Sequence, residues 1–434
     1  MPRGLLNPRS RPYTVLLAVL TASFVICILL FPDRAFQSSM KGLTLWWTLV
    51  FPTLLPFLIL SELLGGIGFL SGAGVLLDPL MRLLFRLPGA SGWALALGSV
   101  AGGPAGAQAT GQLRLDGAVT REQGERLLAL SHLSSPYLMT GVIGAGFLHR
   151  PEIGVLIAVV HYIAALIAAV LMGLRRSPGS RPPRRGLLGK AALPKRPPRS
   201  IWVRFVHEMH DARLKDGRGF GKLLGDAVAN SIQALMIIGG CIIMFSVLLH
   251  VLQLSLITPH VNGVLFAVLH ALGYPSAEAP DWMPGLLEQH LGTFAFSQLN
   301  LAASSLEWKA ALIGFALGWS GISQHLQVQA LVRHTDMRYM PFFVQRLLHG
   351  GLAFGLTFAL WKPLTSLIPS VAPSFLPYGG GAAAAESRFS PTDMIAAWQS
   401  VTSRMEVLLI TVVALGLLSA FIGFWGSRSR RRVM

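Results

Sequence analysis

Five stretches of this chain stay apolar for about as long as a bilayer is thick: 13–31, 154–174, 234–254, 350–367 (interrupted only by Lys362) and 407–424. A hydrocarbon core of ~30 Å takes about 20 residues of α-helix to cross. It offers no water, so every backbone N–H and C=O inside it must be bonded within the protein, and a single run of this kind has to be helical. Composition agrees: 53% of residues are hydrophobic and 13% charged, against roughly 25% charged in soluble domains. The expected fold is an all-α polytopic membrane protein with about 8–10 membrane segments.

One segment conflicts with that rule. Residues 96–117, ALGSVAGGPAGAQATGQLRLDG, are apolar enough for a bilayer, yet they carry five glycines before Leu113 as well as Pro104. Both residue types interrupt helices and free backbone groups that lipid cannot satisfy. Irregular backbone at membrane depth is tolerated where protein covers it or where it lines a cavity. A second such stretch follows in the other half of the chain. Ala96-Leu97-Gly98 opens the first and Ala316-Leu317-Gly318 the second, and each runs into a Gly/Ser-rich kink and then glutamines. A charged segment follows each, with Arg114, Asp116 and Arg121 in one and Arg333, Asp336 and Arg338 in the other. Paired interrupted segments in two halves point to a transporter-type binding site near the midplane. The expectation is two related halves with broken or re-entrant helices that converge on one hydrated cavity.

The domain reading follows. Residues 1–41 form an N-terminal anchor helix and outer loop, with the run at 13–31 retained because no small-residue cleavage site follows it. Residues 42–174 are the first half, 175–218 a basic Pro-rich cytoplasmic linker, and 219–369 the second half. Residues 370–404 form a Gly/Ala-rich external loop, and 405–434 the last span and basic tail. The net charge of +17 is concentrated beside spans: Arg3, Arg9 and Arg11, nine Lys/Arg within 175–199, and Arg428, Arg430, Arg431 and Arg432. By the positive-inside rule these mark cytoplasmic sides, including both termini. They read as topology signals and lipid-headgroup contacts, not as a nucleic-acid surface.

Polar residues inside apolar segments are the binding candidates, because each is costly there. Glu62 lies between two apolar runs; the plain alternative is an interfacial turn carboxylate. Glu288 in LLEQHLG is either a coupling or substrate-binding carboxylate or the wet face of an external helix. Ser320, Ser323, Gln324 and Gln327 pair at helical spacing and either line a cavity or bond neighbouring helices. Gly102, Gly103, Pro104, Gly106 and Gln108 mirror them, with close packing as the alternative. Asn230 and Gln233 share one face of the long helix beginning near 223. His161, His250 and His349 are isolated and read as packing histidines. His207 and His210 read as a solvated helix face. Thr120 and Gln123 form a capping box that starts a helix. No metal-ligand spacing or phosphate-binding loop occurs, so no cofactor and no metal are expected. Cys27 and Cys241 sit in apolar runs and predict no disulfide.

The stretches FLILSELL at 57–64, GGPAGAQ at 102–108, TREQGERLLALSHLSSP at 120–136, IIGGCIIMFSVL at 237–248, GLLEQHLG at 285–292, LGWSGISQHLQV at 317–328 and RYMPFFVQRLLHGGLAFGLTFALWKPL at 338–364 together resemble the YlbJ type of sporulation integral membrane protein. That family carries the nucleoside-recognition or Gate domain. The chain departs from it at His132, Ser134 and Ser135, where Asn is favoured, and at His290, where Thr is expected. The resemblance implies a bacterial mother-cell membrane around the forespore, a role in spore cortex formation, and partners in the spore envelope. Two functions fit. One is a transporter-like protein that moves or binds a small polar solute, such as a nucleoside or a cell-wall precursor. The other is a non-transporting scaffold that recruits envelope-assembly proteins. A homo-oligomer is compatible with both. An intramembrane enzyme would need paired acids or a nucleophile with its base inside a span, and the carboxylates here are isolated.

Overall fold

The computed structural model describes residues 11–174, 200–253, 257–302 and 305–368. Among the described residues the secondary structure is entirely helical. Five helices are long and apolar enough to cross a membrane: Arg11–Leu30, Pro32–Gly66, Pro151–Gly173, Phe220–Gln253 and Tyr339–Leu367. Arg3 and Arg9, the basic stretch 175–199, the Gly/Ala-rich loop at 378–386, the run at 407–424 and the basic tail lie outside the described residues.

Helix α1 (Arg11–Leu30) buries none of its side chains, which leaves its apolar surface to lipid. Residues 32–41, expected as a loop, instead begin α2 (Pro32–Leu45). Proline suits a first turn because its missing N–H is unbonded there anyway. The buried face of α2 meets the helix Phe220–Gln253: a Cβ on Gly42 would stand 3.0 Å from Ile243 Cα, and Ser246 Oγ donates to Ser38 O at 2.7 Å. A π-helical turn, Trp46–Val50, leads into α3 (Phe51–Gly66). The chain turns at Gly68, whose φ of 82° suits glycine. Glu62 is therefore inside α3, not at a turn, and it is exposed.

After α4 (Phe69–Leu83) the chain makes a hairpin of α5 (Ser91–Ala101) and α6 (Gly103–Leu115). Then come α7 (Arg121–Ser131), a non-helical stretch at 132–135, a π-helical segment Leu138–Phe147, and α8 (Pro151–Leu174). Pro136 accounts for its last residue, Ser135, since a residue before proline is pushed out of the helical region. Part of the expected linker is α9 (Ile201–Asp216). The prolines stop at Pro198, and Trp202, Phe205, Val206 and Met209 then recur at helical spacing. α9 lies on α4, where Phe205 meets Phe69 edge-on with ring centroids 5.8 Å apart.

The second half runs α10 (Phe220–Gln253), α11 (Ile257–Ala271), a hairpin of α12 (Met283–Leu287) and α13 (Gln289–Ser297), α14 (Leu306–Trp319), α15 (Gly321–Val332) and α16 (Tyr339–Leu367). The order long helix, shorter helix, hairpin, interrupted helix, long helix thus occurs twice. This changes the pairing expected from sequence. Residues 96–108 belong to a hairpin, whereas 316–328 belong to an interrupted helix. By order, the hairpin broken at Gly102 matches the one broken at Glu288, and the interruption at 132–135 matches the one at Ser320.

Candidate functional site

At the first break, Gly102 has φ 96° and ψ 175°, a conformation that favours glycine. The chain then folds back on itself. A Cβ on Gly106 would stand 2.9 Å from Gly98 Cα and 2.1 Å from Ser131 O. The two legs and the end of α7 therefore meet backbone to backbone. Ser131 Oγ donates to Gly106 O at 3.1 Å and lies 3.0 Å from Thr110 Oγ1. Gly103 is packed on the His132 imidazole, where a Cβ would be 2.4 Å from Cε1. Helix α8 binds the non-helical stretch 132–135: Ser134 N donates to His161 Nε2 at 3.2 Å, and Tyr162 Oη donates to Ser134 O at 3.1 Å.

At the second break, Ser320 and Gly321 both have φ 72°. A serine in the left-handed region is strained, and such strain concentrates at functional sites. Ser320 Oγ donates to Leu317 O at 3.0 Å. Gly321 is held against the tip of the second hairpin, so a Cβ there would be 2.9 Å from Glu288 Cα. Trp319 Nε1 donates to Leu286 O in the same hairpin at 3.0 Å. His325 Nε2 donates to Trp319 O at 3.0 Å, so Tyr339 Oη donates to His325 Nδ1 at 2.7 Å.

Arg346 of α16 joins the interruption at 132–135 to the one at Ser320. It is 1% exposed. One terminal nitrogen donates to His132 O at 2.6 Å; the other donates to Leu317 O at 3.3 Å and to Ser320 Oγ at 3.2 Å. Its Nε has no partner. Among the described residues no carboxylate lies within ion-pair distance of it. Leu317 O belongs to the last turn of α14 and His132 O to the residue that follows α7, so both lie at helix C-terminal ends, which carry partial negative charge. These dipoles offset part of a buried charge but not all of it. One turn along α16, His349 Nε2 donates to His161 O at 2.9 Å, and the two imidazoles lie 4.4 Å apart. Ser134 Oγ, His161 Nδ1 and Gln324 Oε1 are buried without hydrogen-bond partners.

The expected residues divide in two. Gly102, Gly103, Gly106, Glu288, Ser320, Ser323 and Gln324 are buried, and Pro104 and Gln327 are half-buried. They lie on the two hairpins and the second interrupted helix. Gln327 Nε2 donates to Ser323 Oγ at 3.2 Å and reaches Cys241 Sγ at 3.6 Å. Glu62, Gln108, Asn230 and Gln233 are exposed and do not join them; on α10 it is Ser231 that points inward. Arg346, His132, His161, His325 and His349 were not among the expected binders. For Arg346 a signal existed, a cation among the apolar residues of a helix whose other cation, Lys362, stands sixteen residues further on. Where these segments meet they do so on buried side chains, not across the hydrated cavity expected from the sequence.

The charged segments after the breaks pair with each other. Arg114 binds Asp336 in bidentate fashion at 2.7 and 2.9 Å. Arg338 binds Glu125 with two 2.9 Å bonds, and its backbone N donates to the same carboxylate at 3.0 Å. The hydrogen bond from Arg114 holds the Asp336 carboxyl below its ordinary value. At Glu125 burial works upward, but the bonds and charge of Arg338, with Arg121, bring the carboxyl below its ordinary value. The expected capping box is present: Thr120 N donates to Gln123 Oε1 at 2.9 Å, and Gln123 N to Thr120 Oγ1 at 3.3 Å.

A family profile described as nucleoside recognition, that of the Gate family, matches residues 47–175. The sporulation integral membrane protein YlbJ of Bacillus subtilis (strain 168) is 37% identical over 355 residues, covering 82% of this chain and 84% of that protein. No solved structure matches.

Proposed function

As the chain belongs to the YlbJ family of sporulation integral membrane proteins, we propose that it serves spore formation by binding and moving a small polar solute across a membrane around the developing spore, in support of cortex assembly. The solute carries an anionic group. The observation that carries this reading is Arg346, a buried guanidinium without a carboxylate partner that bridges two helix interruptions, the one at 132–135 and the one at Ser320. A protein core does not hold an uncompensated charge for stability, since each buried ion costs several kcal/mol. At membrane depth such a group is a functional residue by default. Helix α15 begins at the second of these interruptions and α6 begins at Gly103, which packs on His132 at the first; the free N–H groups of these N-termini also favour an anion. Residues 42–174 and 219–369 act as two related halves, and the basic flanks support cytoplasmic termini by the positive-inside rule. The protein binds and translocates; it does not catalyse.

The test is binding by the full-length protein in nanodiscs. Probes are small carboxylates and nucleoside 5′-monophosphates, each beside its neutral counterpart. The expected result is thermal stabilisation by one anionic series, absent for the neutral series and absent in Arg346→Gln. Equal stabilisation by neutral compounds, or binding retained in Arg346→Gln, overturns the reading. Lack of any binding together with heat-resistant spore yields that survive Arg346→Gln leaves the scaffold reading.

A further inference from the structure

Helix α9 has two apolar faces, and the protein covers one of them. The inner face, with Phe205, Met209 and Ala212, is seated on α4 along Gly68-x-x-x-Gly72. A Cβ on Gly68 would stand 2.2 Å from Met209 O, and one on Gly72 would stand 2.9 Å from the Phe205 ring. Small residues at this spacing let two helix backbones approach closely. Further along, Arg204 and Arg82 both donate to the Asp78 carboxylate of α4. Helix α4 in turn meets the first hairpin backbone to backbone, a Cβ on Gly92 falling 2.3 Å from Gly74 O.

The outer face consists of Trp202, Val203, Val206 and Leu214. All four are exposed, Trp202 by 53%, Val206 by 55% and Leu214 by 65%. At 3.6 residues per turn they fall within about 120° of arc. His210 lies among them and His207 at their edge. Arg213, on the same side, is turned along the helix to Asp216 and Arg218 O. A third stripe, Arg204, Glu208, Asp211 and Lys215, is polar and exposed. With the outer face toward lipid, the polar stripe points to water and the inner face lies sideways on α4.

The place of α9 in the fold is the edge of the bilayer. Its 16 residues cover about 24 Å, short of a ~30 Å hydrocarbon core, and Arg204, Glu208, Asp211, Arg213, Lys215 and Asp216 are charged. It stops at Gly217, with φ 65°, and the spanning helix α10 follows. Arg218 fixes that corner, donating to Asp216 at 2.6 and 2.9 Å and to Asp226 at 2.9 Å. The end of the span that includes α3 stands at the same level, where a Cβ on Gly66 would be 2.2 Å from Leu223 Cδ1. Two spans therefore leave the hydrocarbon beside α9. The nine Lys/Arg within 175–199 precede it in sequence, which puts this side in the cytoplasm.

We infer that α9 is an interfacial helix that lies in the membrane plane, its outer face sunk ~5–10 Å into the headgroup–acyl boundary of the cytoplasmic leaflet. The occupant of that face is the lipid surface. Continuity selects it: Phe220 and Leu224 carry the exposed apolar surface from α9 onto the span α10. Tryptophan suits this depth, since its amphipathic ring sits at headgroup level. The three Lys/Arg of α9 are matched by three Asp/Glu, so apolar area, not net charge, drives the insertion. Helix α9 thereby holds α4, and through it the first hairpin, at a set depth. The inference does not rest on the anion site.

The test is a depth profile on the full-length protein in nanodiscs of phosphatidylcholine and phosphatidylglycerol. In a Cys27→Ser, Cys241→Ser background, a nitroxide is attached after Val203→Cys, Val206→Cys or Leu214→Cys, and after Glu208→Cys, Asp211→Cys or Lys215→Cys. Electron paramagnetic resonance compares access of oxygen, which partitions into lipid, with access of a water-soluble nickel chelate. Oxygen access is expected to exceed chelate access at 203, 206 and 214 and to fall below it at 208, 211 and 215. Chelate access in excess at the outer positions overturns the inference. Exclusion of both reagents there also overturns it, because protein then covers the face, a second copy if the labels broaden one another. A check with the native cysteines uses Trp202 emission, taken as wild type minus Trp202→Phe. Lipid brominated in its acyl chains is expected to quench it more than aqueous acrylamide does, and the reverse order overturns the inference.

Discussion

Replacing Arg346 with Met separates a functional charge from a structural one. Three bonds disappear: those to His132 O, Leu317 O and Ser320 Oγ. Leu317 O and Ser320 Oγ keep their bond to each other. The main loss is therefore His132 O, left as an unpaired buried acceptor at ~1–3 kcal/mol. Against that, a guanidinium leaves the interior. Its desolvation costs several kcal/mol, only partly offset by helix-end carbonyls, and Met fills much of the same volume. Apolar replacement of buried charge groups is often neutral or stabilising by ~1–4 kcal/mol, whereas breaking a matched buried pair costs ~3–5 kcal/mol. The expected outcome is unfolding free energy within about 1 kcal/mol of wild type, or up to ~3 kcal/mol higher, while spore heat resistance is lost. Stability is read by unfolding in mixed detergent–SDS micelles followed by helical circular dichroism. Complementation is scored in a spore-forming host that lacks its own relative. A destabilisation above ~3 kcal/mol would mean that Arg346 is a structural strut. Normal spores from a stable variant would mean that its charge binds nothing.

Three further outcomes follow from the same coordinates. Gly106→Ala places a Cβ 2.1 Å from Ser131 O, and overpacking of that kind should destabilise by ~1–3 kcal/mol in the same unfolding assay; an unchanged midpoint would mean the hairpin legs are not in contact. Asp336 is held low by Arg114, so its pairing is present above the ordinary carboxylate range and lost only as pH falls through the depressed value; exchange of peptides covering 333–338 should be flat from pH 5.5 to 8.5 and should rise at pH 7 in Asp336→Asn. Asn230→Leu with Gln233→Leu should leave abundance and spore yield unchanged, because both residues are exposed on α10; loss of function there would assign that outer face a role.

The helical class, the membrane and the places where helices fail were legible in local chemistry. Apolar runs must be helical where water is absent, and Gly102 and Ser320-Gly321 interrupt their helices within single residues. The Thr120–Gln123 box likewise needs only residues three apart. What a break does afterwards was not legible. Gly102-Gly103 reverses the chain because Gly98, Gly106 and Ser131 leave room for three backbones to meet, while at Ser320-Gly321 α15 departs toward α6 and α12. Both stretches read alike in the sequence, and the difference lies in partners far along the chain. The same holds for the centre of the site. Arg346 and His132 are 214 positions apart and His161 and His349 are 188 apart; each looks isolated until α8 and α16 pack together. Hydrophobicity and backbone sterics act between neighbours in sequence, so the chain alone determined its solvent and its weak points. Which weak points face each other depends on long-range packing, and only the tertiary structure decided that.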